Sequence, residues 1–177
     1  MTADLKDAPA APDLDVLEEV QRRVLWLAVR IVDAANHERD TEDGVKVGGH
    51  QASSASLVTA MTALWFAHLT RDDRVSVKPH ASPVFHAIRY LLGDLDRTYL
   101  TRLRARGGLQ SYPSRTKDPD QVDFSTGSVG LGAAAPLLAA LVRACSRRPS
   151  GAPGATTRCS SGPRAHKGST SSSASAR

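Results

Sequence analysis

Three short stretches of this 177-residue sequence hold residue types that can do chemistry. The first is Gly48-Gly49-His50, with Ser53 close behind. The second is Lys78-Pro79-His80, followed by Ser82-Pro83. The third is Ser111-Tyr112-Pro113, in a polar loop that runs on into Gly127-Ser128-Val129-Gly130-Leu131-Gly132. Glycine lets a backbone approach a ligand closely. Imidazoles hydrogen-bond phosphate and move protons near neutral pH. Each stretch also stands where an apolar helix is about to begin, and free N–H groups at helix N-termini attract anions. Together they point to a phosphorylated cofactor or substrate. Taken singly, each also fits a plainer role: a tight turn, a turn histidine between prolines, or a glycine-rich helix start whose spacing reverses the dinucleotide fingerprint.

Helices must carry these stretches. Leu14, Leu17, Val20, Val24, Leu27, Ala28 and Ile31 recur at helical spacing, which predicts an amphipathic helix over 14–35. Apolar content predicts a second over 53–69, capped near Ser53. Ser82-Pro83 opens a third that ends at Leu92 before Gly93, and Asp94 opens a fourth, over 95–106. Val75 and Val77 alternate with polar residues, which predicts a strand over 74–78 ending at Pro79. The histidines at 68 and 86 fall on helices as ordinary surface or core residues. Asp118, Asp120 and Asp123 are expected to be solvated loop charges. The fold class that follows is α/β and helix-rich, with an incomplete parallel sheet.

The formal charge of +5 is unevenly spread. Residues 146–177 hold six Lys/Arg and no Asp or Glu, so the first 145 residues net −1. Basicity confined to a Ser/Arg/Gly/Pro-rich tail gives no basis for a nucleic-acid-binding domain. That tail is expected to be disordered, because it has too little apolar bulk to offset ordering entropy. Its abrupt onset has the look of a shifted reading frame. No apolar run is long enough for a membrane span, and the first residues do not resemble a secretory signal. Cys145 and Cys159 form no disulfide framework, so a cytoplasmic setting is expected. Three regions follow: a flexible lead over 1–13, one domain over 14–145, and the tail over 146–177.

The blocks "VGGHQASSASLVTAMTALWFAHL", "VSVKPHASPVFHAIRYLLG" and "GGLQSYPSRTKDPDQVDFSTGSVGLGAAAPL" resemble, in order and spacing, consecutive blocks of the transketolase superfamily of thiamine-diphosphate enzymes. The likeness is nearest to the homodimeric decarboxylating component of pyruvate dehydrogenase, and covers about Leu14 to Ala144. It implies a partial thiamine-diphosphate-binding domain and an enzyme fragment acting on a 2-oxoacid or sugar, by decarboxylation or ketol transfer. It further implies that His50 and His80 are catalytic and line the cofactor's reactive ring and diphosphate. Ser53, Lys78, Tyr112, Ser128, Val129 and Gly130 would contact the cofactor. Lys78 stands where well-studied bacterial members carry glutamine. The family's magnesium motif, Gly-Asp-Gly followed by Asn, does not follow Cys145, so magnesium ligands are missing. The intact family works as a homodimer, in pyruvate dehydrogenase within a multienzyme complex. The isolated chain is therefore expected to be inactive, and the alternative is a non-catalytic interaction protein.

Overall fold

The computed structural model describes residues 12–40, 44–125, 127 and 129–146. Among these residues five α-helices follow one another: α1 (Leu14–His37), α2 (Gln51–Ala55), α3 (Val58–Ala63), α4 (Ser82–Leu91) and α5 (Leu131–Ser146). A π-helical turn, Leu64–His68, extends α3, and 3-10 turns occupy Pro79–Ala81 and Arg97–Tyr99. No helix among the described residues is long and apolar enough to cross a membrane. Most of the expected lead and tail, 1–11 and 147–177, lies outside the described residues.

α1 begins where Asp13 accepts from Asp15 N at 3.0 Å, which satisfies a donor that the first turn would leave open. Asp13 is therefore the N-cap of α1. Val24, Leu27, Ala28, Ile31, Val32 and Ala35 form the buried stripe at the spacing the sequence predicts. That stripe packs on α4, whose Val84, Phe85, His86, Ala87 and Ile88 are all buried. α4 is thus the central element, closed in by α1, α2 and α3.

Three expectations are corrected. The single helix over 53–69 is broken at Ser56–Leu57 and begins earlier, at Gln51, with His50 in the capping position. No helix forms over 95–106. Asp96 caps a single 3-10 turn through Thr98 N, and the chain then bends to bury Leu103 and Leu109, which meet in an isolated parallel bridge. Arg104 takes a left-handed φ of 58° inside that bend, which a continuing helix forbids. Lastly, residues 74–78 form no strand, and no sheet exists among the described residues. A strand needs a neighbouring backbone to complete its ladder. Here Val75 N instead donates to the side chain of Asp123, at 2.9 Å.

Candidate functional site

The Gly48-Gly49 turn is held on three sides. Gly48 N donates to Asn36 Oδ1 of α1 at 2.7 Å, and Arg104 Nη1 donates to Val47 O at 2.6 Å. Gly49, at φ 147°, lies so close to α1 that a Cβ there would stand 2.7 Å from Val32 Cγ1. Only glycine permits both that approach and those backbone angles. The chain emerges with His50 at the start of α2. His50 does not cap that helix with its side chain. Its ring instead meets the ring of His80 edge-on, with centroids 4.4 Å apart and planes at 66°. His80 is placed by the Pro79–Ala81 turn, which feeds directly into α4.

Two clefts share the Pro79–His80 wall. The smaller, about 80 Å³, brings together His50, His80, Arg104, Ser111 and Tyr112. The larger, about 430 Å³, brings together Lys78, His80, Gly127, Val129 and Gly132. Among the described residues, no Asp or Glu lines either cleft. Two imidazoles, an ammonium, a guanidinium and a phenol around glycine backbone suit an anionic ligand with an aromatic part. The donor set and the glycine cradle fit thiamine diphosphate on its anionic side.

The expected site residues separate into groups. His50, His80 and Tyr112 share one cleft, and Lys78 and Val129 share the other with His80. Ser53 is half-buried on α2, lines neither cleft, and accepts from Ser56 Oγ through its carbonyl at 2.9 Å. Gly130 is exposed at the first turn of α5, where its carbonyl accepts from Ala133 N and Ala134 N. Ser128 lies outside the described residues.

Sequence reasoning missed the cluster behind the cleft. The His86 side chain is fully buried, as are those of Asp118 and Asp120, so these are not solvated loop charges. His86 Nδ1 stands 3.0 Å from Asp120 Oδ2 and Nε2 stands 3.3 Å from Gln110 O. Asp118 accepts from Gln110 N and Ser114 N, both at 2.7 Å. Burial pushes the Asp118 carboxyl above the usual aspartate range, against the opposing pull of those N–H groups and of His86. The three side chains are close enough to hold a metal ion. Their hydrogen bonds, however, already engage both Asp118 oxygens and both His86 nitrogens, which describes a latch. One sequence signal could have revealed it. A histidine set among Phe85, Ala87 and Ile88 on a helix buried all round needs a polar partner, and the downstream acidic pairs that could supply one are Asp94-Leu95-Asp96 and Asp118-Pro119-Asp120.

No family model matches the chain, and no solved structure matches it. Curated relatives do. Over 131 residues, 65% of the chain, it is 35% identical to the pyruvate dehydrogenase E1 component of Mycobacterium tuberculosis and to that of Mycolicibacterium smegmatis. Over 142 residues, 74% of the chain, it is 30% identical to that of Escherichia coli. The matched part spans only 13% to 15% of the length of these relatives. The chain is thus a homologue of one segment of the pyruvate dehydrogenase E1 component.

Proposed function

We propose that the paired clefts form one wall of a thiamine-diphosphate site in a 2-oxoacid dehydrogenase, and that the 177-residue chain alone does not turn over substrate. The supporting observation is the edge-on His50–His80 pair at a cleft that no carboxylate lines among the described residues, in a chain homologous to proteins named pyruvate dehydrogenase E1 component. Thiamine diphosphate, when bound, supplies an electron sink for cleaving a bond beside a carbonyl. Around it, His50 and His80 would hold or pass protons. Lys78, Arg104 and the N-terminus of α4 would offset anionic charge, and Tyr112, Ser53, Ser128, Val129 and Gly130 would make the remaining contacts. Magnesium, a homodimer and a multienzyme complex belong to the same proposal as features of the intact family, whose magnesium ligands this chain lacks. Ketol transfer from a sugar is the neighbouring chemistry. A non-catalytic interaction protein is favoured by one observation, the bare apolar surface of α5.

Calorimetric titration of the 177-residue chain with thiamine diphosphate and magnesium tests this. Weak binding is expected, with Kd near about 1 mM, lost in both His50→Ala and His80→Ala. Pyruvate turnover should be undetectable. Unchanged binding in both variants overturns the cleft assignment, and measurable turnover overturns the proposed inactivity.

A further inference from the structure

Ser111-Tyr112-Pro113 sits in a long connection, Leu109 to Ser125, that contains no regular helix or strand. Polar loops of this length stay in place only where specific bonds hold them. The bonds here are concentrated on one carboxylate. Asp118 Oδ1 accepts from Gln110 N and Oδ2 from Ser114 N, each at 2.7 Å. These two amides bracket the tripeptide, one on each side. A third bond, Gln110 O to His86 Nε2 at 3.3 Å, ties the loop's near end to α4.

We propose that Asp118 is a positioning residue: its carboxylate clamps both ends of the Ser111–Pro113 turn and so sets Tyr112 against His50 and His80. His86 and Asp120 back the clamp. His86 Nε2 is 3.8 Å from Asp118 Oδ1, and its Nδ1 is 3.0 Å from Asp120 Oδ2. Both ring nitrogens thus face oxygen partners. The cluster is anchored in α4, one turn beyond the Pro79–Ala81 turn that places His80. One helix therefore positions His80 directly and Tyr112 through Asp118. Tyr112 itself is 46% exposed, so packing alone does not fix it. The importance of this clamp for ligand binding rests on the proposed cofactor site; the clamp's geometry does not.

The chain has three tyrosines, and Tyr90 and Tyr99 pack against the core. Labelling the 177-residue chain with 3-fluorotyrosine gives three fluorine resonances, two of them internal references. In Asp118→Ala the Tyr112 resonance should move to the free-peptide position while the other two stay. Asp118→Asn, which keeps one acceptor oxygen, should fall between. Thiamine diphosphate binding, read by titration with magnesium, should weaken about tenfold in Asp118→Ala. A Tyr112 resonance that stays put overturns the proposal, and so does movement of all three resonances, which would make Asp118 a general fold residue. If Tyr112 alone moves and the unmutated chain binds no thiamine diphosphate, the clamp stands and the cofactor site falls. Amide exchange on the unmutated chain guards against variants that fail to fold. Slow exchange at both Gln110 and Ser114 supports the clamp, and fast exchange at both refutes it.

Discussion

α1 and α5 are both rich in apolar residues, yet they have opposite fates. Seven residues of α1 are buried, six of them on the stripe that packs on α4. None of α5 is buried, although Leu137, Leu138, Leu141 and Val142 lie along it at 54–64% exposure. A hydrogen bond ties α5 to the rest of the chain, Arg143 Nη1 donating to Asp72 O at 2.7 Å. Burial therefore follows from a facing partner and not from apolar content. A stripe with polar flanks finds its counterpart in α4. A helix that is apolar all round normally sits inside a larger body.

The largest expected effect breaks or confirms that contrast directly. Ile88 is fully buried at the α1–α4 contact, so Ile88→Ala should cost about 2–5 kcal/mol in urea unfolding. Leu138→Ala, at a site 60% exposed, should change stability by less than about 0.5 kcal/mol. Comparable losses at both positions would show that α5 is covered in solution.

The same contrast holds between the two glycine-rich stretches. At Gly49 an added methyl meets Val32 and the backbone is left-handed, so Gly49→Ala should cost about 1–3 kcal/mol and separate the His50 and His80 rings. At Gly130 nothing lies within 4 Å of the added carbon, so Gly130→Ala should be neutral or slightly stabilising. Unfolding midpoints together with a ring-to-ring NOE between the two histidines measure both parts. A Gly49→Ala protein that keeps the NOE removes the role given to the turn.

What the sequence makes legible is whatever depends on local rules. The α1 stripe and the Ser82-Pro83 helix start follow from spacing, capping and turn residues, whereas a site shared by His50, Ser53, His80 and Tyr112 is what the family resemblance implies. Residues 74–78 and 95–106 do not, because their outcome depends on distant chain. The Val75 amide found Asp123, 48 positions away, instead of a neighbouring strand. Leu103 is drawn out of helical geometry to be buried beside Leu109. The latch was illegible for the same reason. A His86–Asp120 bond spans 34 residues, and no local pattern distinguishes a buried aspartate from a solvated one.

Asp118 and Asp96 give the smallest effect, where the sign rather than the size decides. Asp96 is exposed, and its side-chain and backbone bonds from Thr98 hold its carboxyl below the ordinary 3.8. Its contribution to stability is therefore present above 3.8 and lost as pH falls through its lowered value. Asp118 runs the other way. Burial raises its carboxyl above 3.8, outweighing the Gln110 and Ser114 amides and the charge of His86, while Asp120 adds to the rise. The folded chain then binds that proton more tightly than the unfolded chain does. Stability from this group must increase as pH falls from the raised value to 3.8, and level off below. In Asp118→Asn that increase should vanish, so the stability difference between wild type and variant should grow in wild type's favour across the window. Denaturation curves at closely spaced pH measure it. A difference that stays flat, or that shrinks as pH falls, would mean Asp118 is charged at low cost, and the hydrogen-bonded clamp would then outweigh burial rather than yield to it.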